Sequence, residues 1–218
     1  MKKKLVVITL AAAFCLPNYS FAFGLGDLTS SVPGHSGGGG DVADLEKGQG
    51  QLADETNKVL LDFATAIVSF QEALGLEADS SLKNKIANCA KGKICTESED
   101  FEKTKSHSDE VVKTVKNLEA KGVKLSSDAS KTFKKGLVSY GKGALGGSVL
   151  GLKIAEVGPK YASAVAANPL TASSTLATGT TIFKQIPPVL TMFSGASGGI
   201  YDFATYSGIE KPEEAEAE

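Results

Sequence analysis

Apolar side chains recur three, four or seven residues apart along most of the chain, and this spacing predicts an all-α fold. The pattern is clearest over residues 51–74 and 97–121, where it describes one apolar face of a long amphipathic helix. The sequence shows no persistent strand-like alternation and no cluster of Asn-Gly or Asp-Gly hairpin turns. We therefore expect a helical bundle of four or more helices over residues 41–209.

Capping residues, glycines and prolines set the predicted helix ends. Thr96 and Glu99 match a capping box, and Asn168-Pro169 reads as a cap followed by Pro at the first helical position. Gly158-Pro159 and Pro187-Pro188 are expected to end helices, because Pro lacks a backbone N–H. The remaining predicted helices are 80–91, 126–157, 161–167, the weaker Ser/Thr-rich segment 170–185, and 189–206.

The C-terminal half is glycine-rich and poor in charge. Residues 161–209 contain only Lys184 and Asp202 as charged side chains. We expect this half at the centre of the bundle, with the charged helices 41–75 and 97–121 packed outside it as an antiparallel pair. Membrane association of the charge-poor region and an oligomer interface stay open as alternatives.

A stripe of small residues is the most distinctive motif of the predicted helix 126–157. Gly143, Gly147, Gly151 and Ala155 fall four apart and therefore lie on one helix face. Each Gly weakens a helix by roughly 0.5–1 kcal/mol relative to Ala, which close packing of a neighbouring helix can offset. We expect a helix-packing groove, and in a membrane such a repeat would favour helix association.

The N-terminus reads as an export signal. Lys2 to Lys4 precede an apolar run over residues 5–16, and small residues precede a cleavage site expected after Ala22. A lipoprotein reading with Cys15 is disfavoured by the bulky Phe14. Residues 1–22 are thus a predicted signal peptide, 23–40 a flexible Gly/Ser-rich linker and 210–218 an acidic tail. The expected location is periplasmic or secreted.

Charge argues against nucleic acid as a partner. Removal of the three leader lysines leaves 20 Lys against 25 acidic residues and lowers the formal net charge from −2 to −5. Nucleic-acid binders normally carry a basic surplus. The chain also contains no Arg, the residue that reads guanine and clamps phosphate.

Cys89 and Cys95 are predicted to form a disulfide, as expected of a close pair in an exported chain. Positions six apart on a continuous helix lie about 9 Å apart along the axis, beyond the usual Cα separation of a disulfide. The helix must therefore end within this loop, and Gly92 is a suitable place. Lys83, Lys85 and nearby lysines make a local basic patch.

Few residues suit catalysis. His35 lies in the linker, and His107 is expected to be a surface residue of its helix. Adjacent acids such as Glu99/Asp100 and Asp109/Glu110 belong to a charged helix and need convergence in a cleft to act together. The sequence predicts no cofactor and no metal site.

The expected function is therefore that of a non-enzymatic exported protein. Such a protein would bind a protein partner, self-associate or form part of an envelope or extracellular assembly. A membrane-active pore-former or secreted effector that uses residues 143–209 is the alternative.

Overall fold

The computed structural model describes residues 40–210, which form six helices and their connections, with no strand in this part of the chain. The prediction of an all-α fold is confirmed for these residues. The predicted signal peptide, nearly all of the linker and nearly all of the acidic tail lie outside them. The helices are α1 (Gly40–Leu74), α2 (Ser81–Ala87), α3 (Ser98–Ala120), α4 (Ser127–Ala167), α5 (Pro169–Thr175) and α6 (Ala177–Tyr206).

The pairing of α1 with α4 organises the fold. The two helices run antiparallel, because Phe70 lies against Gly136 whereas the earlier Phe63 lies against the later Gly143. A Cβ added at Gly136 would lie 2.6 Å from Phe70 Cε1, and one at Gly143 would lie 2.9 Å from Phe63 Cδ1. The absence of side chains at these two positions is therefore what lets the rings, and with them the two helices, come so close.

Helix α6 covers another side of the α1–α4 pair. Phe193 stacks on Phe63 with ring centroids 3.7 Å apart and planes 3° from parallel. Leu190 lies over Gly147, where an added Cβ would be 2.8 Å from Leu190 Cδ2. Tyr140 of α4 donates a hydrogen bond to the carbonyl oxygen of Phe193, and burial raises the pKa of this phenol. The three long helices thus share one core.

Helix α3 packs mainly on α6 and also contacts α1, while α1 packs mainly on α4, so the two charged helices do not form the outer pair that the sequence predicted. Val115 of α3 is buried in the same core as Ile200 of α6. Helix α1 lies at the centre instead, because it is buried on more than its apolar stripe: Ala53, Thr56 and Gln71 have no exposed surface. The small and polar side chains of α1 are thus buried along with its apolar ones, although the helix also carries charged residues.

The predicted proline breaks are wrong. Helix α4 continues through Pro159 and α6 continues through Pro187 and Pro188, so residues 161–167 extend α4 and form no separate helix. Proline in a helix interior costs about 3 kcal/mol, and packing beyond each proline offsets this. After Pro159, Tyr161 is buried and donates a hydrogen bond to a carbonyl oxygen of α1 at 2.7 Å. The prediction that a helix begins at Pro169 is confirmed, but this helix ends at Thr175, and the segment expected over 170–185 is divided between α5 and α6.

The first turns of α1 are held by the opposite end of the chain. Gln49 donates a hydrogen bond to the carbonyl oxygen of Thr175 at 2.6 Å and accepts one from the N–H of Gly179 at 3.3 Å. Its side chain thereby forms hydrogen bonds with a carbonyl at the end of α5 and with an N–H in the first turn of α6. These contacts support α1 where Gly48 and Gly50 weaken it.

Replacement of Gly136 by Ala tests the close approach of α1 and α4. The new Cβ would overlap the buried Phe70 ring, so we expect the free energy of unfolding to fall by about 1–3 kcal/mol. Gly141→Ala in the same helix is the matched control, because an added Cβ there lies within 4 Å of no described atom of another helix. This control should leave stability unchanged or raise it by up to about 1 kcal/mol. Urea unfolding measures both, and equal effects would contradict the packing described here.

Candidate functional site

The disulfide closes a short loop after α2. Cys89 and Cys95 are bonded, with their Cα atoms 5.7 Å apart. Helix α2 ends at Ala87, four residues earlier than predicted, and the chain turns at Gly92, whose φ is +74°. Gly92 adopts a left-handed conformation that other residues reach only with strain. Gly92 therefore turns the chain between the two cysteines and does not itself end the helix.

Two side chains of α1 fasten this loop. Asp54 Oδ1 accepts a hydrogen bond from the N–H of Gly92 at 2.6 Å. Asn57 Nδ2 donates one to the carbonyl oxygen of Lys93 at 2.6 Å. Gly50 faces Gly92, with an added Cβ 3.6 Å from the Gly92 Cα. Sequence reasoning missed both polar residues, because a single Asp and Asn three apart on a helix carry no sign of a partner 30 to 40 residues away.

The loop leads directly into α3, whose first turn is capped one residue later than predicted. The Asp100 carboxylate accepts a hydrogen bond from the N–H of Glu97 at 2.8 Å, while Thr96 is buried. The same carboxylate oxygen lies 2.6 Å from Lys85 Nζ. Lys85 is therefore paired with an acid, and the basic patch around it is less positive than the sequence suggested.

His107 lies on α3 with 28% of its side chain exposed, and it has a partner that the sequence did not predict. Its Nε2 lies 3.3 Å from Asp79 Oδ2. The other oxygen of Asp79 accepts a hydrogen bond from the N–H of Ser81 at 2.8 Å. Hydrogen bonds from the Ser81 hydroxyl and N–H, together with His107, hold the pKa of Asp79 below its usual value of 3.8. This pair joins the start of α2 to the middle of α3.

The Asp79–His107 pair lines a shallow pocket between α1, α2 and α3. Its wall is apolar at Ala64 and Ile67 and polar at Lys103. Asp79 is engaged by Ser81 and His107, and within residues 40–210 no three His, Cys, Asp or Glu side chains converge as a metal site would require. The acids Asp109 and Glu110, considered above as candidates, are exposed on α3. The Asp79–His107 pair fastens the start of α2 to α3.

The predicted groove is filled from within the chain along part of its length. Gly143 lies under Phe63 and Gly147 under Leu190. Gly151 is in ordinary contact with Leu190, an added Cβ being 3.8 Å from Leu190 Cδ1, and Ala155 is exposed. The sequence motif did not include Gly136, which makes the closest approach to α1.

An apolar strip lies on the opposite face of α4. We define it as Leu145, Val149 and Leu152, spaced four and three apart and hence on one face. Val149 is 53% exposed and Leu152 74% exposed, while Leu145 is half-buried. On a helix with 3.6 residues per turn, this face points roughly 180° away from the Gly143/Gly147 face. The apolar residues of α4 thus lie on two faces, and residues 40–210 cover only one of them.

Leu170 of α5 adds a further exposed apolar side chain, 91% accessible to solvent. Because Leu170 belongs to the charge-poor residues 161–209, this C-terminal half is only partly central. The α6 segment packs against α1 and α4, whereas Leu170 of α5 is exposed.

Comparison of the chain with protein-family models, with curated proteins and with solved structures found no match. Among the helices at residues 40–210, none combines the length and apolar character that crossing a bilayer requires.

Loss of the disulfide should loosen the loop from α1. Cys89→Ser with Cys95→Ser should lower the free energy of unfolding by about 2 kcal/mol, the value expected for so short a closed loop. Asp54→Ala should cost about 1–2 kcal/mol in the bonded protein, because it leaves the Gly92 N–H unpaired. This cost should shrink once the disulfide is gone. A double-mutant cycle measures the coupling, with Asp44→Ala on an exposed part of α1 as control; independent, additive effects would contradict the docking.

Acid should weaken the attachment of α2 to α3. Because the pKa of Asp79 is lowered in the folded protein, its stabilising effect is complete above the ordinary Asp pKa and disappears as the pH falls through the folded value. Asp79→Asn should therefore be less stable than the wild type at neutral pH, and the difference should narrow in acid. Unfolding measured from neutral pH to about pH 2 tests this, with Asp109→Asn as control. A difference that stays constant with pH would contradict it.

Proposed function

We propose that this chain is an exported, non-enzymatic helical protein that acts by binding a partner protein or by joining an envelope or extracellular assembly. The observation that carries the proposal is the apolar strip of α4. Single exposed apolar side chains are normal on a protein surface, but Val149 and Leu152 share one face and have no covering element within the described chain. Apolar surface left together in this way is typical of interaction sites.

Export is supported by two independent features. The leader has the charged and apolar regions of a secretory signal, and Cys89 and Cys95 are bonded in the structure. Disulfides persist in oxidising compartments and are rare in the reducing cytosol. Both features agree with a periplasmic or secreted location.

The polar residues favour binding over catalysis. Asp100 caps α3 and pairs with Lys85, and Asp79 holds Ser81 and His107. Each of these groups has a structural role between helices. The feature left for interaction with another molecule is therefore the exposed surface.

A membrane-active role is the second candidate. It is favoured by Leu152 of α4, which is 74% exposed, and by Leu170 of the charge-poor region, which is 91% exposed. The same atoms would meet lipid in place of a partner protein.

A photo-crosslinking amino acid at Leu152 tests the proposed function in cells. We expect a defined protein adduct, identified by mass spectrometry, because the side chain points into the contact. The matched control is the same crosslinker at Lys113, an exposed position of α3. Equal labelling at both positions, or none, would contradict a contact through α4. Flotation with vesicles of anionic lipid that is lost in Leu152→Gln would instead support the membrane-active candidate.

A further inference from the structure

The charges that flank the apolar strip indicate what covers it. Lys142 stands seven residues before Val149 and Glu156 stands seven residues after it. Both side chains are exposed, and both lie on the strip side of α4. Seven residues are about two helical turns, or about 10 Å along the axis. The strip therefore has a positive end and a negative end at equal distances from its middle.

This arrangement is complementary to itself when one copy is turned end to end. In an antiparallel pair of α4 helices crossing at Val149, Lys142 of each copy meets Glu156 of the other. Leu145 of each copy then lies within one residue of Leu152 of the other. A two-fold interface has this property by necessity: the contact made by residue i to residue j is repeated by j to i.

We propose that the partner of the α4 strip is a second copy of this chain, paired antiparallel through Leu145, Val149 and Leu152 with Lys142–Glu156 contacts at both ends. The inference rests on the proposed function and names its partner. The pairing also requires a face of α4 that the described residues leave exposed. The small-residue face of α4 is already occupied by Phe63 and Leu190.

Other charges near the two ends of the strip do not prevent the contact between Lys142 and Glu156 of the second copy. Glu156 lies 3.9 Å from Lys160 of its own helix, and both are largely exposed. Such a surface contact is weak and is screened by salt. Lys142 acts from a distance on Asp62 of α1, whose pKa is nonetheless raised by burial. Lys153, which also borders the strip, is held by Glu55 at 2.6 Å. One seam of about four turns makes a small interface, so we expect a weak, concentration-dependent dimer.

Charge exchange tests the proposal on the full chain, expressed with its own leader. Sedimentation equilibrium from about 10 µM to about 1 mM covers weak association. Lys142→Glu and Glu156→Lys should each raise the dimer Kd at least about tenfold, because each places like charges together twice per dimer. The double exchange should restore the Kd to within about threefold of the wild type. Lys113→Glu on α3 is the control and should change nothing.

The outcomes separate this inference from the proposed function. A wild type that stays monomeric at every concentration overturns self-pairing, as does a double exchange that restores nothing. If Leu152 then crosslinks to a different protein, the proposed function stands without this inference; if it crosslinks to neither, both fail. Vesicle flotation lost in Leu152→Gln also overturns the pairing. Should a charge variant be unfolded by circular dichroism, Leu152→Gln replaces it, with the same tenfold loss expected.

Discussion

The rest of the structure depends on how closely α4 approaches α1. Phe63 and Phe70 are one heptad apart on α1, and Gly143 and Gly136 are one heptad apart on α4, so each ring enters a gap left by a missing side chain. This places Phe63 where Phe193 of α6 can stack on it. Glycine weakens an isolated helix, so the stability of α4 depends on the partner that fills its gaps.

This constraint also gives α4 two faces with different roles. The face with Gly143 and Gly147 is covered within the chain by Phe63, Val59 and Leu190. A small-residue stripe suggests helix association, but here that association is intramolecular. What remains for another molecule is the face with Val149 and Leu152, where the side chains are larger, apolar and exposed. An intermolecular contact there would leave the internal packing of α4 unchanged.

The sequence predicted what periodicity and local chemistry control. The helix expected at 97–121 is observed at Ser98–Ala120, and Cys89 and Cys95 are bonded. It could not predict what tertiary contacts decide. Helix α4 continues through Pro159 because Tyr161, just after it, is hydrogen-bonded to α1. His107 meets Asp79 across 28 positions, and neither residue type reveals a partner at that distance. The apolar residues of α4 follow helical spacing in the sequence, but periodicity alone does not show which of its faces is covered.

The polar chemistry of the chain points to the same division between interior and surface. Asp54 and Asn57 hold the disulfide loop on α1, Asp79 and His107 hold α2 on α3, and Gln49 holds the junction of α5 and α6. Buried or half-buried polar groups must find partners or destabilise the fold. These residues find theirs between helices, where each fixes a short or weak segment that its own apolar contacts would hold poorly. A binding role for the chain therefore has to come from its uncovered surface, and α4 is where that surface is both apolar and flanked by opposite charges.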